Sequence, residues 1–369
     1  MKKSKTLSVL SVAAVFFASL CLFGCSQKST PPTPVHLISE SEAEKNPVRG
    51  IDERQPKKVT GETFAARQQS LSEVLAEGFK PTFDESGKDV LELYSEMRKV
   101  ADRYIKNSFG DYERVHAFHD YIATSVEYDD KLYDRYLSGE DIPKEHDSFN
   151  LSGVFLNGKA VCDGIGKAFA ALCNMEGIRC VSIYGEYTSD TVTAAHSWNK
   201  VRVDGKWYNV DVTLDSARAD FGNGAQSFLH HGFFMVSDRA IENAAFGRHK
   251  AFEDIGLNPE NEATPKESYP VYEGLTVDIG GEKFSAKVET AEELNAILRA
   301  VKGAKRTVGK LDIRLAFDGI NPNRVGVFDS QIEAALKEVG RYDFTFDASA
   351  SVRPYIQYPD GVIVLFVYK

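Results

Sequence analysis

Residues 196–215 read HSWNKVRVDGKWYNVDVTLD. Apolar and polar side chains alternate on either side of Asp204-Gly205, a pair suited to the positive φ angles of a two-residue hairpin turn. A chain carrying this stretch is committed to two antiparallel strands here. The loop length also sets the pairing, since residues face each other when their numbers sum to 409, as 204 and 205 do. His196 then faces Thr213 and Trp198 faces Asp211, and side chains alternating with period 2 put all four on one face. His196 and Asp211 become diagonal neighbours, roughly 7–8 Å apart at the backbone and within reach of an imidazole. A slip of one residue would send Asp211 to the opposite face.

Upstream, NGKAVCDGIGKAFAALC (157–173) places Cys162 where a glycine-containing loop turns into a helix. Ile165, Ala168, Phe169 and Leu172 form the apolar stripe, and Gly177 stands at a C-terminal stop. A sulfur at a helix N-terminus lies near unpaired backbone N–H groups and the positive end of the dipole, which favours thiolate, the nucleophilic form. The same N–H groups can hold an oxyanion. Position alone does not separate a nucleophile from a disulfide half or a small buried residue. Two earlier helices are expected, one from Asp89 with Val90, Leu93, Met97, Val100, Ala101 and Tyr104 inward, one capped by Asp111 with Val115, Phe118 and Ile122 inward. The stretch around Gly139 and Pro143 reads as a loop, and CVSIYGEY from Cys180 as a strand.

The 369 residues suggest about two domains. A net charge of −10 without basic clusters argues against nucleic acid as a partner. Lys2, Lys3 and Lys5 precede an uncharged run from Thr6 to Gln27, the charge layout of a secretory signal. The run contains LFGC, Leu22 to Cys25, which resembles the lipobox of bacterial lipoproteins. That resemblance implies cleavage after residue 24, acylation of Cys25 and anchoring in the cell envelope outside the cytoplasm. The alternative is an uncleaved signal anchor, since 22 uncharged residues are long enough to span a bilayer. Cleavage would remove Lys2, Lys3 and Lys5 and take the charge from −10 to −13. Residues 25–60 read as a polar tether, 61–256 as the principal domain and 268–369 as a small accessory α/β domain, divided by the proline-bearing stretch 257–270. The accessory part holds neither cysteine nor histidine. It opens helices with the capping boxes Thr290-x-x-Glu293 and Ser330-x-x-Glu333, among the strands LDIRLAF, YDFTF and VIVLFVY.

Taken together, GKAVCDGIGKAFAALCNMEGI, AHSWNKVRVDGKWYNVDVTLD, HHGFFMVSD and VHAFHDYIATSVEYDD resemble the transglutaminase-like superfamily, over about residues 85–250. The resemblance implies an α+β fold with a papain-like core of helices on an antiparallel sheet. It makes Cys162 the nucleophile, His196 the general base and acid, and Asp211 the residue that orients the histidine. Val212 and Leu214 depart from the proline and tryptophan common after the aspartate. The chemistry implied is thiol acyl transfer on amide or peptide bonds through a thioester. Water as acceptor gives a peptidase or amidase, and an amine gives a cross-linking transglutaminase. A non-catalytic surface binding protein on the same fold is the alternative from another class. No cofactor is implied; the expected substrate is a protein or peptide, including cell-wall or surface peptides. Asn157, five residues before the cysteine, is a candidate second oxyanion donor.

Several residues favour plainer readings. Cys173 and Cys180 flank the helix-to-strand connection closely enough to bridge, or else lie buried as apolar residues. His116, His119 and Asp120 have helical spacing for a metal, but no Glu or Cys completes a set, and His230 and His231 would point apart on a strand; no metal site is expected. Trp198 and Trp207 are expected to pack.

Overall fold

Helical periodicity and strand alternation are both realised in the computed structural model, which describes residues 53–189, 193–220, 225–229, 231–244, 248–252 and 265–290, with shorter pieces among 292–300, 310–315, 355–358 and 361–367. The helices are α1 (Phe64–Ala76), α2 (Lys88–Tyr104), α3 (Asp111–Ser125), α4 (Asp130–Leu137), α5 (Leu151–Phe155), α6 (Cys162–Met175), α7 (Val212–Asp215) and α8 (Asp238–Glu242). All six apolar positions expected on α2 are buried, as are Val115, Phe118 and Ile122 on α3. Gly110, rather than Asp111, is the N-cap of α3; Asp111 lies inside the first turn, where its charge still complements the dipole. Helix α4, which the sequence reading did not anticipate, stands just before the loop that carries Gly139 and Pro143, its start capped by Asp129, which accepts from the Leu132 N–H.

The central sheet is antiparallel throughout: β1 (Cys180–Thr188), β2 (Thr193–Val203), β3 (Lys206–Val210) and β4 (Arg248–Ala251), in the order β4-β1-β2-β3. The hairpin register is the one the turn dictates, with Val203 opposite Lys206 and Asn199 opposite Val210. Asp204 and Gly205 have φ of 50° and 77°, the left-handed pair of a tight hairpin. The ladder stops at Val210. Asp211 turns out of the sheet to cap α7, accepting from the Leu214 N–H, so Thr213 is helical and does not face His196. The ladder partner of His196 is Gly185 of β1.

Helix α6 lies against this sheet. Ile165, Ala168, Phe169 and Leu172 are buried, each large side chain contributing about 1.5–3 kcal/mol by leaving water. Asn199 of β2 donates to the Gly166 carbonyl at 2.9 Å, tying strand to helix. The helix ends as expected at Gly177, φ 83°, where the Gly177 and Ile178 N–H groups close on the Asn174 and Cys173 carbonyls. Cys173 and Cys180 lie side by side in the core, unbridged.

The folded part reaches further back than residue 61. Pro56–Lys58 pairs in parallel with Lys80–Thr82, and Val59 is buried, its N–H bonded to Thr82. A short parallel ladder and one apolar anchor therefore recruit the end of the polar stretch. At the end of the proline-bearing segment Tyr269 stacks on Tyr112, with ring centroids 4.9 Å apart, and beyond it Val271, Tyr272 and Ala286 join the same core. The Thr290 capping box is formed, Thr290 Oγ1 accepting from the Glu293 N–H and Glu293 accepting from the Thr290 N–H. LDIRLAF and VIVLFVY contribute strands Lys310–Leu315 and Gly361–Val367, which pair antiparallel. YDFTF, the Ser330 box, the N-terminal run and Cys25 lie outside the described residues. Among the described residues, no helix is long and apolar enough to cross a membrane.

Candidate active site

Cys162 is the first residue of α6, and the residue before it, Val161, supplies no side-chain cap. The N–H groups of that first turn are therefore not taken by a capping side chain. The sulfur meets His196 from β2, the backbone N–H of Ser197 and the hydroxyl of Tyr128. Behind the histidine, Asp211 accepts from His196 Nε2 at 2.6 Å. With Nε2 held by the carboxylate, Nδ1 is the ring nitrogen left for the sulfur. The hairpin register carries Asp211 one residue past the end of the ladder, the α7 cap fixes its other oxygen, and the packing of α6 on the sheet brings Cys162 to His196.

The electrostatics follow from burial and charge. Burial pushes the Asp211 carboxyl up, but the neighbouring charge and hydrogen bonds of His196 and His249 outweigh it and hold the carboxyl well below its usual range. Burial alone would lower His196, yet the Asp211 charge and hydrogen bond, helped by Cys162, raise it to about 10. Burial raises the Cys162 thiol, while the hydrogen bond and charge of His196 and the Ser197 N–H bring it below its ordinary value. The arrangement shifts the balance from thiol and neutral imidazole toward a thiolate–imidazolium pair.

A cavity of about 250 Å³ opens over the sulfur. Its walls are aromatic, with Tyr128 from the two-residue strand Glu127–Tyr128, Tyr133 and Tyr136 from α4, and Phe149, Tyr184 and Phe252. Asp163 also lines it, its two oxygens bonded to the Tyr184 hydroxyl at 3.0 Å and to Lys167 at 2.8 Å.

Asn157 does not join this group. It is exposed, its amide donates to Asp147 at 3.0 Å, and it is not among the residues lining the cavity. Its backbone N–H closes on the Ser152 carbonyl at the end of α5, so both its main chain and its side chain are engaged with the segment before α6. Trp198 packs as expected, 3% exposed, its indole N–H on Asn209 and its ring stacked at 6.4 Å on His196.

Two groups sequence reasoning missed. His249 of β4 donates from Nε2 to the same Asp211 oxygen, at 2.9 Å, and packs edge-on against Trp198 at 5.0 Å. Its signal is only the alternation of a short strand 38 residues beyond Asp211. Tyr128 reaches the sulfur from a two-residue strand too short to show a period. His231 is also placed differently from the sequence reading: it lies off any strand, and Nε2 meets Asp120 Oδ1 at 2.8 Å. His116, Asp120 and His231 thus converge, as do His196, Asp211 and His249; in each set the donor atoms lie within 4.8 Å of one another.

A cysteine at a helix N-terminus, facing a histidine on an antiparallel sheet and an aspartate just past the end of that sheet's last hairpin strand, defines an α+β protein of papain-like type. Residues 98–212 match the family described as the transglutaminase-like superfamily. The chain is 24% identical over 155 residues to kyphoscoliosis peptidase from Mus musculus, covering 40% of this chain and 22% of that protein. The Homo sapiens protein of the same name matches with the same identity and coverage. The match thus spans less than a quarter of these relatives' length. The crystal structure of a TGase aligns with a TM-score of 0.28 and 19% identity, over 41% of this chain and 34% of that one.

Proposed function

We propose that this chain is an exported, lipid-anchored thiol enzyme that acts on amide bonds of proteins or peptides, with hydrolysis as its main outcome. The observation that carries this reading is the contact of Cys162, at the start of α6, with His196, itself held by Asp211, on the wall of an aromatic cavity. The Cys162 thiolate attacks the carbonyl carbon. The backbone N–H groups at the start of α6 face the developing oxyanion. Imidazolium Nδ1–H of His196 gives its proton to the departing amine, leaving a thioester on Cys162. His196, now neutral, takes a proton from water, whose attack releases the acid and restores the thiolate. Asp211 keeps the ring oriented and stabilises its charge throughout. The aromatic lining suits an apolar segment of the substrate next to the scissile bond. Similarity to proteins named as peptidases adds weight to water as the acceptor. Anchoring through Cys25 would present the site to envelope proteins and cell-wall or surface peptides.

The test is a peptide library incubated with the purified chain, with and without a primary amine, and read by mass spectrometry. Cleaved peptides that vanish with Cys162→Ala support hydrolysis. Amine adducts would replace it with a cross-linking reaction, and neither product would overturn the enzymatic reading.

A further inference from the structure

A second histidine–carboxylate cluster lies on α3, outside the cavity. His116 and Asp120, one helical turn apart, present His116 Nδ1 and Asp120 Oδ2 3.6 Å from each other, and His231 Nε2 stands 2.8 Å from Asp120 Oδ1. None of the three lines the Cys162 cavity. We propose that His116, Asp120 and His231 form a binding site for a first-row divalent cation, zinc before the others.

The donor set is the first reason. Two imidazole nitrogens and one carboxylate oxygen suit zinc, and three protein ligands leave a fourth position for water. Geometry is the second. Ligands about 2.0–2.1 Å from a tetrahedral zinc stand about 3.3 Å from one another, and the donor atoms here already lie within 4.8 Å of one another. The third is a buried carboxylate oxygen without a hydrogen bond. Asp120 is 1% exposed; Oδ1 meets both His119 and His231, while Oδ2 has no hydrogen-bond partner among the described residues. A buried carboxylate oxygen left so costs free energy that coordination to a cation removes.

The surroundings match those of metal ligands. His119 bonds Asp120 Oδ1 with Nδ1 and Asp215 with Nε2, each at 3.0 Å, so the ligating carboxylate is oriented by a neighbour that is itself held. The Phe234 ring packs against His116, His119 and His231, keeping one side of the cluster dry. The role is structural. Asp215 also accepts from the Phe233 N–H at 2.8 Å, and it closes α7, the helix that Asp211 caps. A cation joining α3 to residue 231 would brace the backbone that presents Asp211. The site stands whether or not the thiol chemistry proposed above is correct.

The experiment uses the full chain, stripped with a chelator and dialysed against Zn²⁺, then assayed for metal content and thermal unfolding. Stoichiometric zinc and a raised unfolding temperature are expected. Both should persist in Cys162→Ser and His196→Ala, and be lost in His116→Ala and His231→Ala. His231 is only partly buried and is the gentler change; far-UV circular dichroism on it separates lost metal from lost fold. Co²⁺ read in the unmutated chain needs no variant, and should give visible d–d bands without a thiolate charge-transfer band. Substoichiometric metal, retention in both histidine variants, or a thiolate band would each overturn the site.

Discussion

The proton of His196 is decided by one carboxylate, and that makes Asp211 the residue on which reactivity turns. Because His196 is raised to about 10 and Cys162 is lowered, thiolate and imidazolium coexist between the two titrations. Alkylation of Cys162 by iodoacetamide should therefore already be fast near neutral pH and change little as pH rises toward that of an ordinary thiol. In Asp211→Asn the imidazolium loses its counter-charge, His196 falls and Cys162 rises. Each unit of rise removes about tenfold of the thiolate below its pKa. The rate at pH 7 should drop by about that factor and recover at high pH; an unchanged pH–rate profile in the variant would remove Asp211 from the proposed role. His249 tests the same oxygen from the other side. His249→Ala deletes a hydrogen bond to a buried charge and leaves a cavity beside Trp198, costing about 2–3 kcal/mol in urea unfolding. A loss below about 0.5 kcal/mol, the level of a surface change, would show that Asp211 does not need this second donor. Of these residues, the closeness of His196 and Asp211 is legible in the sequence, since a two-residue turn sets the register up to Val210, but the exit of Asp211 from the sheet to cap α7 is not. His249 is not, because its place depends on a strand added to the far edge of β1 by long-range pairing.

Elements behave in the same way: those set by their own period are readable, and those set by a neighbour are not. Helices α2, α3 and α6 announce themselves through stripes three and four residues apart, whereas α4 is short and mostly exposed, with only Leu132 buried. At the end of β3 the alternation of VDVTLD continues into what the structure makes a helix, because Asp211 caps it and Asp215 is drawn to His119. The start of α6 shows how closely such neighbours constrain an element. A Cβ on Gly164 would lie 2.4 Å from the Ser148 carbonyl oxygen, whereas one on Gly166 would meet nothing nearer than Asn199 Oδ1 at 3.5 Å. Gly164→Ala should therefore push the first turn of α6 away from residue 148, destabilise the fold by about 1–3 kcal/mol and slow Cys162 alkylation. Gly166→Ala should be neutral or gain up to about 1 kcal/mol from helix propensity. The pair is read by denaturant midpoints and labelling rates measured side by side. Equal effects of the two substitutions would mean that backbone crowding does not position Cys162.

Across the whole molecule the cysteines report on both the fold and the proposed route out of the cytoplasm. The chain has five, and the described residues place Cys162 partly exposed at the cavity and Cys173 and Cys180 fully inside the core. Burial, with Cys180 alongside, pushes the Cys173 thiol up, so neither access nor ionisation favours its reaction. If maturation removes residues 1–24 and acylates Cys25, as the lipobox resemblance implies, only Cys162, Cys173 and Cys180 keep titratable thiols. Protein extracted from the envelope should then show one rapidly reacting thiol while folded and three after denaturation. Five after denaturation would mean an unprocessed chain, and one would mean that Cys173 and Cys180 had been oxidised to a bridge. Acylation can be separated from a retained signal anchor by Cys25→Ser. If cleavage depends on lipidation, the variant loses its lipid label and keeps the first 24 residues, running larger on a gel. Several acyl chains hold a protein at a bilayer where a single chain binds only marginally, so the processed parent should resist extraction by high salt and be released by detergent. Identical size and labelling of parent and variant would replace the proposed lipid anchor with an unprocessed N-terminal run.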